Sequence, residues 1–175
     1  MNIGIFVDVP SMYYSCKRKF NQPKLNYAQM VEDLLFEQGA VKVLKFAYGC
    51  KSSDNTNKFV TFLRKIGFTA KFKDASEGRD AAVNLTLDIV RHINQFDKII
   101  LCSSNNTLAE TIRWIQEHGV VVEIVGADVP KSLRTLANCH IEVGTFWLES
   151  VPETGTLAAP ECQAPIQEAQ PCESV

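Results

Sequence analysis

The chain has 175 residues, of which 46% are hydrophobic and 22% are charged, and its formal net charge is -2 at pH 7. This composition excludes disordered, collagen-like and disulfide-dense proteins and fits a single globular domain with a sizeable core. The sequence has no run of 18 apolar residues and no charged region before its first apolar stretch. We therefore expect neither a membrane span nor a signal peptide, and we expect a cytoplasmic protein.

The near-neutral net charge conceals a gradient along the chain. Residues 1–73 contain 12 Lys and Arg against 5 Asp and Glu, whereas residues 74–150 contain 6 against 11. Residues 151–175 add four Glu and no basic residue. An asymmetry of this kind indicates a surface that faces a polyanion.

Short apolar runs alternate with longer amphipathic segments along most of the chain. The patterns predict strands at residues 3–7, 41–47, 68–72, 98–102, 120–125 and 141–143. They predict helices at residues 27–38, 54–66, 79–93, 107–118 and 130–138. This alternation predicts an α/β fold, a three-layer α/β/α sandwich around a mostly parallel, Rossmann-like sheet of five or six strands.

The end of the chain differs in composition from the rest. Residues 151–175 contain four of the seven prolines, many Ala, Gln and Glu, and almost no large apolar residue. Such a segment cannot bury enough apolar surface to offset the entropy lost on ordering. We therefore expect one domain over residues 1–150 and a disordered tail over residues 151–175.

Polar residues follow two of the predicted strands. Asp8 comes directly after the first strand, and Asn105 lies in the run Ser-Ser-Asn-Asn that follows strand 98–102. Ligands of parallel sheets bind at the carboxyl ends of the strands, and a carboxylate there can hold a cation such as Mg²⁺. The alternative for Asp8 is a helix N-cap, with Pro10 in the first turn of that helix.

The predicted helix over residues 79–93 carries Asp80, Asn84 and Asp88 at intervals of four, so they share one face. A carboxylate among apolar neighbours is costly unless it is exposed or paired. The alternative for Asp80 is a charge at a helix N-terminus, favoured by the helix dipole. The alternative for Asp88 is an ordinary solvated helix face.

The residues between Pro10 and Lys24 have the composition of an RNA-binding surface. The candidate RNA-binding residues are Tyr13, Tyr14, Lys17, Arg18, Lys19 and Lys24, and the stretch contains no acid. Cations contribute affinity for phosphates, and aromatic rings stack on unpaired bases. The alternative is a solvated helix face with two core tyrosines. The sequence is also compatible with a homo-oligomer or with a protein partner.

Three segments, in this order along the chain, resemble the segments of a known family. Ile5-Phe6-Val7-Asp8-x-x-Ser11-Met12-Tyr13-Tyr14 is similar to a strand followed by Asp-Gly-x-Asn-Leu and an aromatic residue. Residues 83–88 are similar to an acid-bearing helix, and residues 99–126 are similar to a strand–helix–strand ending. Together they resemble NYN domains of the LabA-like subgroup, which belong to the PIN-like nuclease superfamily. The resemblance covers roughly residues 2–143.

The resemblance implies a metal-dependent ribonuclease that acts on single-stranded RNA. It implies that acidic residues at the carboxyl edge of the sheet bind Mg²⁺ or Mn²⁺, which activates water and stabilises the leaving oxygen. Asp8 and Asp88 would be the chief catalytic and metal-ligating residues. Ser11, Asp80 and Asn105 would be auxiliary.

The chain departs from the family pattern at several of these positions. Ser11 stands in place of Asn, and Ala82 stands where the first acid of the helix is expected. Asn105 and Thr107 stand in place of two Asp residues. Neutral ligands bring no charge, so these departures predict weaker metal affinity. A catalytically inactive NYN-fold module that binds RNA or a protein is therefore the alternative hypothesis.

Overall fold

The computed structural model describes residues 1–22, 24–36, 38–51, 54–74 and 81–149. Asp80 and the tail over residues 151–175, for which the sequence makes predictions, lie outside the described residues. Within these ranges the structure contains no helix long and apolar enough to cross a membrane.

Six strands form one sheet in which every neighbouring pair is parallel. The strands are Asn2–Asp8 (β1), Lys42–Lys51 (β2), Thr69–Asp74 (β3), Lys98–Cys102 (β4), Val121–Gly126 (β5) and Cys139–Glu142 (β6). Their order across the sheet is β3-β2-β1-β4-β5-β6. The predicted fold class is confirmed, and the sheet is wholly parallel where the sequence predicted a mostly parallel one.

Helices follow the strands and flank the sheet. They are Val9–Phe20 (α1), Tyr27–Leu35 (α2), Asp54–Lys65 (α3), Ala81–His92 (α4), Ala109–Glu117 (α5) and Lys131–Leu136 (α6). Because successive side chains of a strand point to opposite faces, β1 contributes to two separate cores. Ile5 packs with Met12 and Met30 on the side of α1 and α2, whereas Phe6 packs with Leu85 on the side of α4.

The ends of two predicted helices are confirmed, because Gly67 and Gly119 adopt the left-handed conformation with φ of +87° and +76°. The helix predicted over residues 27–38 is shorter, because Phe36 turns to an extended conformation (ψ 129°) after Leu35. The helix α1 was not predicted as an element. Its sequence signals are its cap, Asp8, Pro10 in its first turn, and the apolar residues Val9, Met12 and Cys16 at helical spacing.

Candidate functional site

The strand order reverses between β1 and β4, which are neighbours in the sheet although β2 and β3 lie between them in sequence. This switch point is where open α/β sheets bind their ligands. Asp8 is the last residue of β1, and Ser103 directly follows β4. The Ser103 hydroxyl donates a hydrogen bond of 3.1 Å to Asp8 Oδ2, so the two strand ends are joined at the switch point.

A network of polar groups surrounds this contact. Asp8 Oδ1 accepts the Ser11 N–H at 3.2 Å and thereby caps α1. Ser11 Oγ accepts the Ser104 N–H at 2.8 Å, and Ser103 Oγ accepts the Asn105 N–H at 3.1 Å. The N-cap interpretation of Asp8 is therefore confirmed, and the network holds the turn after β1 against the turn after β4.

Two features beside the network indicate close packing around a polar group. The hydroxyl of Ser104 is buried and has no hydrogen-bond partner among the described residues. A Cβ atom added to Gly126, at the end of β5, would lie 2.7 Å from that hydroxyl oxygen. A buried hydroxyl without a partner favours a ligand or water that supplies one.

Asn105 takes a local structural position in the same turn. Its Oδ1 accepts the backbone N–H of Thr107 at 3.1 Å and the Thr107 hydroxyl at 2.9 Å. These bonds cap the short 3-10 turn that leads into α5. The amide oxygen of Asn105 is thus engaged within its own loop.

Asp88 is buried on α4, on the side of the sheet that also contains Phe6 and Tyr48. The residue is 4% exposed. Lys71 Nζ lies 2.6 Å from Asp88 Oδ2, the Tyr48 hydroxyl donates to the same oxygen at 2.8 Å, and Arg91 lies 3.4 Å from Oδ1. The alternative of a solvated helix face is therefore wrong for Asp88, because both carboxylate oxygens have protein partners.

The partners of Asp88 determine its ionisation. Burial alone would raise its pKa, but hydrogen bonds from Lys71 and Tyr48 and the positive charges of Lys71 and Arg91 hold the pKa below its ordinary value of 3.8. Burial and the adjacent Asp88 carboxylate raise the pKa of Tyr48. At neutral pH the site therefore contains an ionised carboxylate that is neutralised by a lysine.

The described residues do not form the site that the implied Mg²⁺ or Mn²⁺ would need. Such a site requires several oxygen ligands with a net negative charge. No three His, Cys, Asp or Glu side chains come together within the part of the chain that the structure describes. Of the two chief acids, Asp88 already has the cationic partner Lys71. The candidate Asp80 lies outside the described residues.

Five of the candidate RNA-binding residues lie on α1, the helix that begins at Asp8 at the switch point. Tyr13 and Tyr14 are half-buried, and their rings meet edge to face with centroids 5.2 Å apart. Ser11, Tyr14 and Arg18 follow one another at helical spacing, so they share one face of α1. That face begins at Asp8, which caps the helix.

The last turn of α1 is basic and exposed. It carries Lys17, Arg18 and Lys19. Arg18 lies 3.4 Å from Asp128, and both side chains are 62% exposed; Lys19 pairs with Glu142. Exposed ion pairs of this kind contribute about 0–1 kcal/mol and exchange readily for another anion. Lys24 is half-buried, and its backbone carbonyl accepts the N–H of Glu149.

The sequence interpretation missed the roles of Tyr48 and Lys71. Tyr48 was not considered, and Lys71 was counted only as part of the basic half. The two residues are register partners on β2 and β3. One signal was available: a buried aspartate needs a partner, and alternation along β3 places Lys71 on the opposite face from Ala70 and Phe72.

Comparison with known proteins identifies the family. The family model described as NYN domain matches residues 2–144. This chain belongs to the NYN domain family. The family is part of the PIN-like nuclease superfamily, so the resemblance seen in the sequence is confirmed.

A solved structure agrees with this NYN fold. The crystal structure of a Vibrio parahaemolyticus protein of unknown function is similar to this chain, with a TM-score of 0.75 and 24% sequence identity. The similarity covers 85% of this chain and 96% of that one. No curated protein matches the chain. At this level of identity the similarity shows the fold alone.

Proposed function

We propose that this NYN domain binds single-stranded RNA along α1 and the adjoining switch point. We also propose that the buried acid Asp88 is held in an ion pair with Lys71 and not in a metal centre. The observation that carries the proposal is the face Ser11–Tyr14–Arg18, which leads from the polar switch point to a basic helix end. Tyr14 offers a ring for base stacking, and the cations offer phosphate contacts.

The ion pair between Lys71 and Asp88 supports the binding function over cleavage. A lysine ammonium 2.6 Å from the carboxylate already supplies the positive charge that a metal would otherwise supply. A metal ion that binds this carboxylate would have to push the Lys71 ammonium aside. The displaced ammonium would still lie close to the metal ion. Like charges at this distance repel strongly when they are partly buried.

The test is RNA binding by fluorescence anisotropy at several salt concentrations. We expect Lys17→Gln/Arg18→Gln to weaken binding of a single-stranded RNA and to reduce the salt slope by about 1.4, since each lost phosphate contact on a single strand contributes about 0.7. The matched control is Lys42→Gln/Arg113→Gln. This control also removes two exposed cations, and one of them, Arg113, is in an exposed ion pair. Neither residue belongs to α1, and Lys42 lies at the amino edge of the sheet, opposite the switch point. Equal losses in the two double variants would contradict the proposal.

A second candidate function is metal-dependent RNA cleavage, which the place of Asp8 at the switch point favours. It is tested on the same RNA with Mn²⁺ added, using the wild type and Asp8→Asn. We expect no cleavage by the wild type beyond that of Asp8→Asn. Cleavage that depends on Asp8 would support the ribonuclease function and contradict our proposal that the domain binds RNA without cleaving it.

A further inference from the structure

A pocket of about 360 Å³ opens beside the last turn of α1. Four parts of the chain surround it: the end of α1, the loop after β5, α6 and β6. Its charged and titratable side chains are Arg18, Lys19, Asp128, Arg134, His140 and Glu142. Of the candidate residues proposed from the sequence, Arg18 and Lys19 line this pocket and the other described candidates do not.

The pocket carries more positive than negative charge. Asp128 pairs with Arg18, and Glu142 pairs with Lys19. Arg134 forms no ion pair with a carboxylate among the described residues and acts on Glu142 only at longer range, so its guanidinium is the excess charge of the group. Guanidinium groups bind phosphate oxygens with two parallel hydrogen bonds, which makes Arg134 the natural anchor for a phosphate.

His140 adds a second observation that points to a ligand. Its Nε2 atom is buried and has no hydrogen-bond partner among the described residues. Burial and the charges of Arg134 and Lys19 lower the pKa of His140 from 6.5, against the opposing effect of Glu142; Arg18 and Asp128 line the same pocket. A buried ring nitrogen without a partner is costly, and a turn of the imidazole toward the pocket would give it a phosphate oxygen as partner.

The pocket lies at the end of the proposed RNA path. Arg18 is the last member of the face Ser11–Tyr14–Arg18 and also lines the pocket. A helix rises about 1.5 Å per residue, so Arg18 lies about 15 Å along α1 from Asp8. A strand that crosses the switch point and follows this face therefore reaches the pocket.

We propose that this pocket binds the terminal phosphate of the RNA strand; this inference rests on the proposed RNA-binding function. A terminal phosphate monoester carries about -1.5 to -2 charges at pH 7 and three acceptor oxygens. An internal phosphodiester carries a single charge. The monoester therefore matches this recess better than a diester does, because it can bind Arg134 and also replace Asp128 and Glu142 as the partner of Arg18 and Lys19.

The test compares three single-stranded RNA probes of one sequence: one with a 5′-phosphate, one with a 3′-phosphate and one with neither. We expect the wild type to bind one of the phosphorylated probes about tenfold more tightly than the unphosphorylated probe, as charged hydrogen bonds contribute on this scale. Arg134→Gln removes this preference and leaves binding of the unphosphorylated probe unchanged. The matched control Lys131→Gln loses a charge from the same helix, outside the pocket lining, and keeps the preference.

A second variant and a second measurement keep the test decisive if Arg134→Gln is unstable. His140→Asn reduces the preference, and in wild-type protein the imidazole NMR signals of His140 shift on addition of the preferred probe and not of the unphosphorylated one. Equal affinity for all three probes overturns the pocket assignment while the RNA-binding function stands. Absence of binding to any probe overturns the RNA-binding function itself.

Discussion

At the scale of single residues, Asp88 shows how the protein compensates a buried acid with a cation of its own. Its carboxylate is buried, and burying a charge is costly unless a partner compensates it. Lys71 and Tyr48 both bond to one of its oxygens, at 2.6 and 2.8 Å. The acid therefore contributes to stability through the protein's own cation, whatever else binds nearby.

We expect Asp88→Asn to lower the free energy of unfolding by about 1.5–3 kcal/mol at pH 7, since it removes charged hydrogen bonds from a buried position. The side chain of Lys71 is 39% exposed, so water screens part of its charge and the loss of stability stays moderate. The control Asp128→Asn breaks an exposed pair and costs less than about 1 kcal/mol. Urea denaturation measures both.

The same variant makes a prediction about pH. Because the pKa of Asp88 is held below 3.8 in the folded protein, its contribution to the free energy of unfolding is fully present above that pH. The contribution is lost as the pH falls through the folded pKa. The stability difference between wild type and Asp88→Asn therefore narrows below about pH 4 in a urea series. A difference that stays constant on acidification would show that the ion pair is not the source of the stability.

At the scale of elements, α1 connects the switch point to the pocket. Its buried residues Met12 and Cys16 fix one face against the core. That orientation leaves Tyr14 and Arg18 toward the outside, with Tyr14 half-buried. Tyr13 shares a different line of the helix with Lys17. The two tyrosines, which the sequence placed together in one RNA-binding set, therefore start from neighbouring lines of the helix, although their rings meet edge to face.

We expect Tyr14→Leu to weaken single-stranded RNA binding by about 1–3 kcal/mol, the scale of one base stacked on an aromatic ring. The salt slope stays the same, because no charge is removed. Tyr13→Leu is the matched control and has the smaller effect. Anisotropy titrations of both variants decide the matter: equal losses would contradict the assignment of stacking to Tyr14 alone, and no loss in either variant would place both rings in packing and not in RNA contact.

The sequence predicted elements better than it predicted contacts. The strand Lys98–Cys102 was predicted with the observed bounds, and Gly67 and Gly119 end helices as expected, because these signals are local in sequence. The ion pair of Lys71 with Asp88 depends on which strand lies beside β2 and in which register. The contact of Arg18 with Asp128 spans 110 residues. No pattern within a short window encodes either contact.

At the scale of the whole molecule, the basic and acidic parts of the sequence form ion pairs with each other in the fold. The basic first part of the chain provides the end of α1, and the acidic second part provides the partners Asp128 and Glu142. The proposed RNA surface is therefore a mixed surface whose cations are partly screened in the free protein. RNA binding exchanges these exposed carboxylates for phosphates, which predicts a marked dependence on salt.

The last described residues close the fold, which leads to a prediction for the rest of the chain. Trp147 is 3% exposed and donates a hydrogen bond of 2.7 Å from its indole to Asp33. The backbone of Glu149 bonds to Lys24. We propose that the domain ends here, at about residue 150. We expect truncation after Ser150 to leave the free energy of unfolding unchanged within about 0.5 kcal/mol, because the removed segment has almost no large apolar side chain to bury.

The truncation also changes the charge, and this gives a second readout. Residues 151–175 carry four Glu and no basic residue, so their removal takes four negative charges from the protein. RNA affinity then rises at low salt and returns toward that of the full chain as salt screens the difference. Urea denaturation and anisotropy of the two proteins test both outcomes. A large loss of stability on truncation would show that the tail packs on the domain, and an unchanged affinity at low salt would show that its charge lies away from the RNA.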